Sequence, residues 1–161
     1  MNRDNFLDDD RPLSPTDAAA AILVAPDGRY LLQLRDDKPG IFYPAHWGFF
    51  GGAIEDSDPS IEEGLRRELV EEIGVALEPG ALVRFTTTSF DLAFARMGIV
   101  NRSYWEAPLD RAQIDGIHLA EGSRFALFSA RDALATLRLT PYDGFALWMH
   151  ANRRRMRPPT P

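Results

Sequence analysis

Cysteine is absent from all 161 residues, which excludes disulfide bridges, thiolate nucleophiles and zinc–thiolate centres. No run is long and apolar enough to span a bilayer, and the opening Met-Asn-Arg-Asp-Asn-Phe-Leu-Asp-Asp-Asp has no apolar core of signal-peptide length. A cytoplasmic protein with no membrane partner is therefore the expectation. Positive charge is also in short supply. The net charge of −6 and the pI of about 5.0 argue against a general nucleic-acid or membrane-surface binder, because those depend on a basic face. Internal repeats and low-complexity tracts are missing too. What the chain does have is 45% apolar residues, enough for one sizeable core in a single domain.

The most informative stretch is Gly51 to Val75, a Gly-rich loop feeding an acidic helix. Ser60 followed by Glu63 is a capping box that starts the helix, and Gly74 past Ile73 is a left-handed cap that ends it. That spacing predicts about fourteen residues of helix. Ile61, Leu65, Leu69 and Ile73 recur every four residues and form one apolar stripe suited to packing on a sheet. At roughly 100° per residue, Glu68, Glu71 and Glu72 form a band beside that stripe, with Glu72 on its border. Like charges at this spacing repel by about 0.2–0.5 kcal/mol per exposed pair, and a hard divalent cation is the economical way to offset that. Arg67, beside Glu68 and one turn before Glu71, is placed to orient a carboxylate through a charge-assisted fork.

Arg67 to Val75 reads Arg-Glu-Leu-Val-Glu-Glu-Ile-Gly-Val. With the Gly51-Gly52 loop it resembles the signature of the Nudix hydrolases: Gly, five residues, Glu, seven residues, then Arg-Glu-aliphatic-any-Glu-Glu-any-Gly-aliphatic. Trp47, shortly before the Gly pair, also fits the family. The resemblance runs from Ala18 to His150 and implies the α+β class, with an α-β-α sandwich around a mixed β-sheet. It implies further that Glu68, Glu71 and Glu72, with the backbone carbonyl of Gly52, hold magnesium or manganese on a substrate pyrophosphate. The first half of the signature departs from the pattern. Asp58 stands where the signature has Glu, and eight residues rather than seven precede Arg67, so the loop is one residue longer. The signature Glu helps to hold loop and helix together, which makes Asp58 a shorter substitute.

Residues 1–16 read as an acidic N-terminal arm, in which Phe6 and Leu7 offer a contact for a neighbour. Residues 17–152 form the single domain, and 153–161 a basic, Pro-rich tail. Ala18 to Ala25 and Tyr30 to Leu34 flank Pro26-Asp27-Gly28 and predict a hairpin. Arg35 at its end is a candidate for holding a substrate phosphate, and His46 reads as a packing or capping residue. Ala81 to Phe90 predicts a strand, and Leu92 to Phe94 with Ile99 to Trp105 a second hairpin around Ala95-Arg96-Met97-Gly98. Phe90, Phe94 and Tyr104 are candidates to stack on a base or sugar, against the commoner role of strand aromatics as core. Pro108 to Gly116 reads as a loop. His118-Leu119-Ala120-Glu121-Gly122 resembles a segment before the last strand of some Nudix proteins, where a Glu acts as metal ligand or general base. Glu121 is accordingly the candidate base, with Glu71 and Glu72 as alternatives. Ser129 and Thr140-Pro141 open two closing helices.

These readings converge on a divalent-metal-dependent hydrolase. The expected reaction is cleavage of a phosphoanhydride bond in a nucleoside diphosphate linked to another moiety, such as a nucleotide sugar, ADP-ribose or nucleoside triphosphate. Catalytic roles fall to Glu71, Glu72, Arg67 and Glu121, and substrate contacts to Arg35, Phe90 and Tyr104. The alternative is a non-catalytic nucleotide-sensing module, motivated by the altered first half of the signature. Nucleic acid is not an expected partner, and a homodimer is left open.

Overall fold

The computed structural model describes residues 16–91, 93 and 98–156. Most of the expected N-terminal arm, including Phe6 and Leu7, lies outside the described residues, as do Leu92, Phe94, the centre of the second hairpin and the end of the C-terminal tail. The elements follow as β1 (Ala18–Val24), β2 (Tyr30–Leu34), β3 (Trp47–Gly48), α1 (Ile61–Ile73), β4 (Val83–Asp91), β5 (Ile99–Pro108), α2 (Arg111–Asp115), β6 (Arg124–Phe128), α3 (Ala130–Thr136) and α4 (Pro141–Asn152).

β1 is the central strand. Its Ala-Ala-Ala-Ala-Ile-Leu-Val run is buried on both faces, as a strand covered from two sides must be. It runs parallel to β5, from Ala18 opposite Arg102 to Val24 opposite Pro108, and β4 adds antiparallel to β5. β2 turns back antiparallel from β1 and is itself flanked by β3 and β6. Among the described residues the mixed sheet thus has six strands.

Because side chains alternate across a strand, β1 feeds two cores. Ala19, Ala21 and Leu23 pack with Leu65, Leu69 and Ile73 of α1. Ala20 and Ile22 pack with Phe49, Tyr104 and, from α4, Ala146 and Leu147. Helices therefore cover both faces, an α-β-α sandwich. Leu65, Leu69 and Ile73 are fully buried, each stabilising the packing by about 1.5–3 kcal/mol.

α1 has 13 residues, Ser60 accepts from the Glu63 N–H, and Gly74 closes it with φ 70°. The apolar stripe begins one turn later than its spacing suggests, since Ile61 is 43% exposed. A helix, α2, also occupies part of the expected loop at 108–116. Asp110 and Gln113 cap it reciprocally, at 2.7 and 2.9 Å, a pattern present in the sequence and passed over there.

Candidate active site

The segment before α1 is stitched onto the first half of β1. Ala21 N–H donates to the Phe50 carbonyl at 2.8 Å and Ala19 N–H to the Gly52 carbonyl at 3.0 Å. Gly51 sits at φ 125°, and a Cβ there would lie 2.3 Å from the Ala19 carbonyl oxygen, so only glycine passes. The chain then enters α1, which returns over this segment and sets Glu68 and Glu72 one turn apart above it.

Glu72 is held from below and from the side. Its Oε2 accepts the Gly51 N–H at 2.8 Å. Gln33, buried in β2, donates to the Phe49 carbonyl at 3.2 Å, and its amide favours the ionised form of Glu72. Burial pushes the Glu72 carboxyl up to about 7, with the Gly51 N–H pulling against it and Glu68 adding to the rise. Burial likewise raises Glu68, partly offset by Arg67. Gly52 makes room for it, because a Cβ there would meet the Glu68 carboxylate at 2.6 Å.

Glu121 arrives from the far end of the chain. Ala120 N–H donates to the Glu72 carbonyl at 2.8 Å and Ser123 N–H to that of Leu34 at 2.9 Å, which pins the intervening loop beside the helix. Its charge contributes to the raised pKa of both Glu68 and Glu72. These three carboxylates line one end of a cavity of about 340 Å³.

Arg67 lies on the outer flank of α1 as a hub. Its Nε and Nη2 reach the two oxygens of Asp58, each at 3.1 Å, and its Nη1 reaches Glu68 at 3.0 Å and Glu71 at 3.1 Å. Asp58 also accepts the Glu55 N–H at 2.8 Å. The shorter acid in the longer loop thus still ties loop to helix.

One expected ligand points elsewhere, and the other, Gly52, lines the cavity beside Glu68. The Glu71 side chain is 59% exposed, bonds Arg67 and does not line the cavity, because Arg67 one turn earlier draws it outward. The Gly52 carbonyl is committed to pairing with β1, which leaves one lone pair.

Of the expected substrate contacts, Arg35 and Phe90 line the cavity and Tyr104 does not. Tyr104 is 1% exposed and its hydroxyl donates to Asp143 Oδ1 at 3.1 Å, so it supports the wall from inside the core. Tyr142, at the start of α4, takes the lining position instead, with its ring edge-on to Phe90 at 6.4 Å. Arg35 donates through Nε to the Phe42 carbonyl at 2.9 Å. His46 turns to the Pro44 carbonyl at 2.8 Å and packs edge-on against Tyr43 at 5.3 Å.

Arg102, Asp143 and Gln33 went unnoticed in the sequence. Gln33 carried a signal, a lone amide inside the apolar run Tyr30 to Leu34. Arg102 and Asp143 carried none, being joined only by the fold. Burial disfavours the Arg102 charge, and Asp143 outweighs it, so the pKa of the guanidinium is raised.

The cavity is therefore acidic at one end and lined by arginine and aromatic rings at the other. The side-chain donors at the acidic end are carboxylate oxygens, the kind magnesium and manganese prefer. Among the described residues no three acidic or imidazole groups are drawn together into a ready-formed metal centre. Nor, among them, is any helix long and apolar enough to cross a membrane.

Comparison with known proteins agrees with this fold. A family model of the NUDIX domain matches residues 14–145, and the chain belongs to that family, the Nudix hydrolases. It is 46% identical over 55 residues to the nucleoside triphosphatase NudI of Escherichia coli O139:H28, a match spanning 34% of this chain and 38% of that relative's length. The MutT protein of Methanosarcina mazei Go1 superposes with a TM-score of 0.67 at 19% identity, covering 91% of this chain and 99% of that one. The NUDIX domain of Shewanella oneidensis NrtR, crystallised with ADP ribose, gives a TM-score of 0.67 at 22% identity, covering 97% and 100%. These two structures speak for the fold.

Proposed function

We propose that this chain hydrolyses a phosphoanhydride bond in a nucleoside diphosphate linked to another moiety, a class that includes nucleotide sugars, ADP-ribose and nucleoside triphosphates, with magnesium or manganese as cofactor. The observation that carries this reading is the meeting, in one cavity, of a carboxylate end built from Glu68, Glu72 and Glu121 with an arginine and aromatic end. Magnesium or manganese, held by Glu68 and Glu72 with Glu121 beside them, supplies charge neutralisation and phosphorus activation when bound. The chain's own part is positioning, on which phosphoryl transfer largely depends. Arg67 fixes Glu68, while the Gly51 N–H fixes Glu72. Glu121 takes the proton of the attacking water as its oxygen bonds to phosphorus and the bridging P–O bond breaks. Arg35 steadies the phosphates, and Phe90 and Tyr142 flank the nucleoside.

Incubation with nucleoside triphosphates, nucleotide sugars, ADP-ribose, dinucleotides and capped RNA, with either metal, tests this by product mass. Two phosphate-bearing products from one class are expected, and none after chelation.

The outward set of Glu71 favours a second reading, a module that binds a nucleotide without cleaving it. It predicts calorimetric binding and recovery of the ligand unchanged.

A further inference from the structure

Arg102 occupies an unusual position in the cavity wall. It projects from β5 beside Tyr104, two residues on, and is 14% exposed against an Asp143 side chain that is 1% exposed. Its Nε and Nη2 both reach Asp143 Oδ1, at 3.2 and 3.0 Å, and its Nε also reaches the Tyr104 hydroxyl at 3.2 Å. The other Asp143 oxygen accepts the Phe49 N–H at 3.1 Å. Tyr142 lies against the guanidinium, 4.7 Å from Cζ to ring centroid. A side chain held from this many directions has one orientation.

Nη1 is left over. It makes no hydrogen bond among the described residues, yet no sealed side-chain nitrogen or oxygen there lacks a partner, so Nη1 is open to solvent, and Arg102 lines the cavity. Two N–H donors therefore meet whatever fills that end.

Charge decides what that is. The Arg102 cation is already matched by Asp143, whose negative charge 3.0 Å away would also repel a phosphate. Arg35 is bonded through Nε to a neutral carbonyl, so it is the better phosphate anchor. The carboxylate end of the cavity is likewise where phosphates and metal belong. What suits Nη1 is a neutral acceptor at the opposite end, among Phe90, Val100 and Tyr142.

On the hydrolase reading above, we infer that Arg102 is a specificity residue that donates through Nη1 to an exocyclic carbonyl of the base, selecting keto bases such as uracil, thymine and guanine over adenine. Adenine carries an amine and no exocyclic carbonyl, so it would leave this donor facing another donor. Sites that hydrogen-bond a substrate group reject the analogue lacking it, and the loss of one charge-assisted bond corresponds to about 10-fold to 100-fold.

The test is calorimetric binding of UMP, GMP and AMP to the metal-free protein, beside kcat/KM for UTP, GTP and ATP with magnesium. UMP and GMP are expected to bind at least about 10-fold more tightly than AMP. Arg102→Lys keeps a cation beside Asp143 and loses the fork, and should shrink that ratio toward one. Equal binding of AMP, binding of none of the three, or an unchanged ratio in Arg102→Lys would overturn the assignment. The wild-type ranking decides the matter even where the variant does not fold. Because binding is read without turnover, keto selectivity without cleavage would sink the hydrolase reading and leave the base contact standing, whereas cleavage without selectivity would do the reverse.

Discussion

The Gly51 N–H and the Glu72 carboxylate meet at 2.8 Å, which ties the segment paired with β1 to the last turn of α1. Glycine is required at that contact. Gly51→Ala would drive a Cβ to within 2.3 Å of a backbone oxygen at φ 125°, and strain of this kind costs at least about 1–3 kcal/mol. A clear drop in thermal midpoint is expected. An alanine variant as stable as wild type would contradict the geometry.

Gly52→Ala should behave differently. Its new Cβ would meet the far end of the Glu68 side chain rather than backbone, so Glu68 can swing aside. Stability should change little while turnover falls. Unfolding and steady-state rates measured on the same preparation separate the two effects.

The helix carboxylates should not be equivalent. Glu68→Gln and Glu72→Gln each remove a charge from the cavity, and each should lower kcat by at least about 100-fold with the fold intact by circular dichroism. Glu71→Gln removes a charge that faces outward to Arg67, and should cost distinctly less. Equal losses at Glu71 and Glu72 would mean that α1 presents a different face during turnover.

Much of this was legible because it is local. The Ser60 and Gly74 caps, the four-residue apolar repeat and the Glu68–Glu72 spacing all lie within one helix, where sequence distance is spatial distance. Glu71 defeated that logic because helical phase places a residue near a site and a neighbouring cation can still turn it away. Tyr104 and Tyr142 were indistinguishable as aromatics. Strand register and the layer above the sheet decide which one faces the cavity. Arg102 and Asp143 stand 41 residues apart, and no periodicity links a strand to a helix across that distance.

Tyr104 and Phe90 offer a direct check on that division. Tyr104→Phe removes a buried hydroxyl that bonds Asp143 and Arg102, and should lower stability by about 0.5–1.5 kcal/mol, with a smaller effect on KM than loss of the Phe90 ring. Phe90→Ala should raise KM. Chemical denaturation and initial rates give both readings.

Asp58 predicts an acid dependence. Hydrogen bonds from Arg67, and then from the Glu55 N–H, lower its pKa in the folded state. Its contribution to stability is therefore complete above the unfolded aspartate pKa, near about 3.9, and is lost as pH falls through the lowered folded value. Asp58→Asn should be less stable than wild type at neutral pH, and the gap should narrow in acid. Urea titrations at pH 7 and pH 3 measure it. A gap that stays constant would show that the fork with Arg67 contributes nothing through ionisation.

The central claim is metal-dependent phosphoanhydride hydrolysis at the Glu68, Glu72 and Glu121 end of the cavity. Its most direct test is cleavage of the best nucleotide found in the substrate panel, carried out in ¹⁸O-labelled water with magnesium, with and without chelator, for wild type and Glu72→Gln. One ¹⁸O atom is expected in a single phosphate-bearing product, formed only by wild type and only with metal. Nucleotide bound and returned unlabelled, or label incorporated as fast by Glu72→Gln, would contradict it.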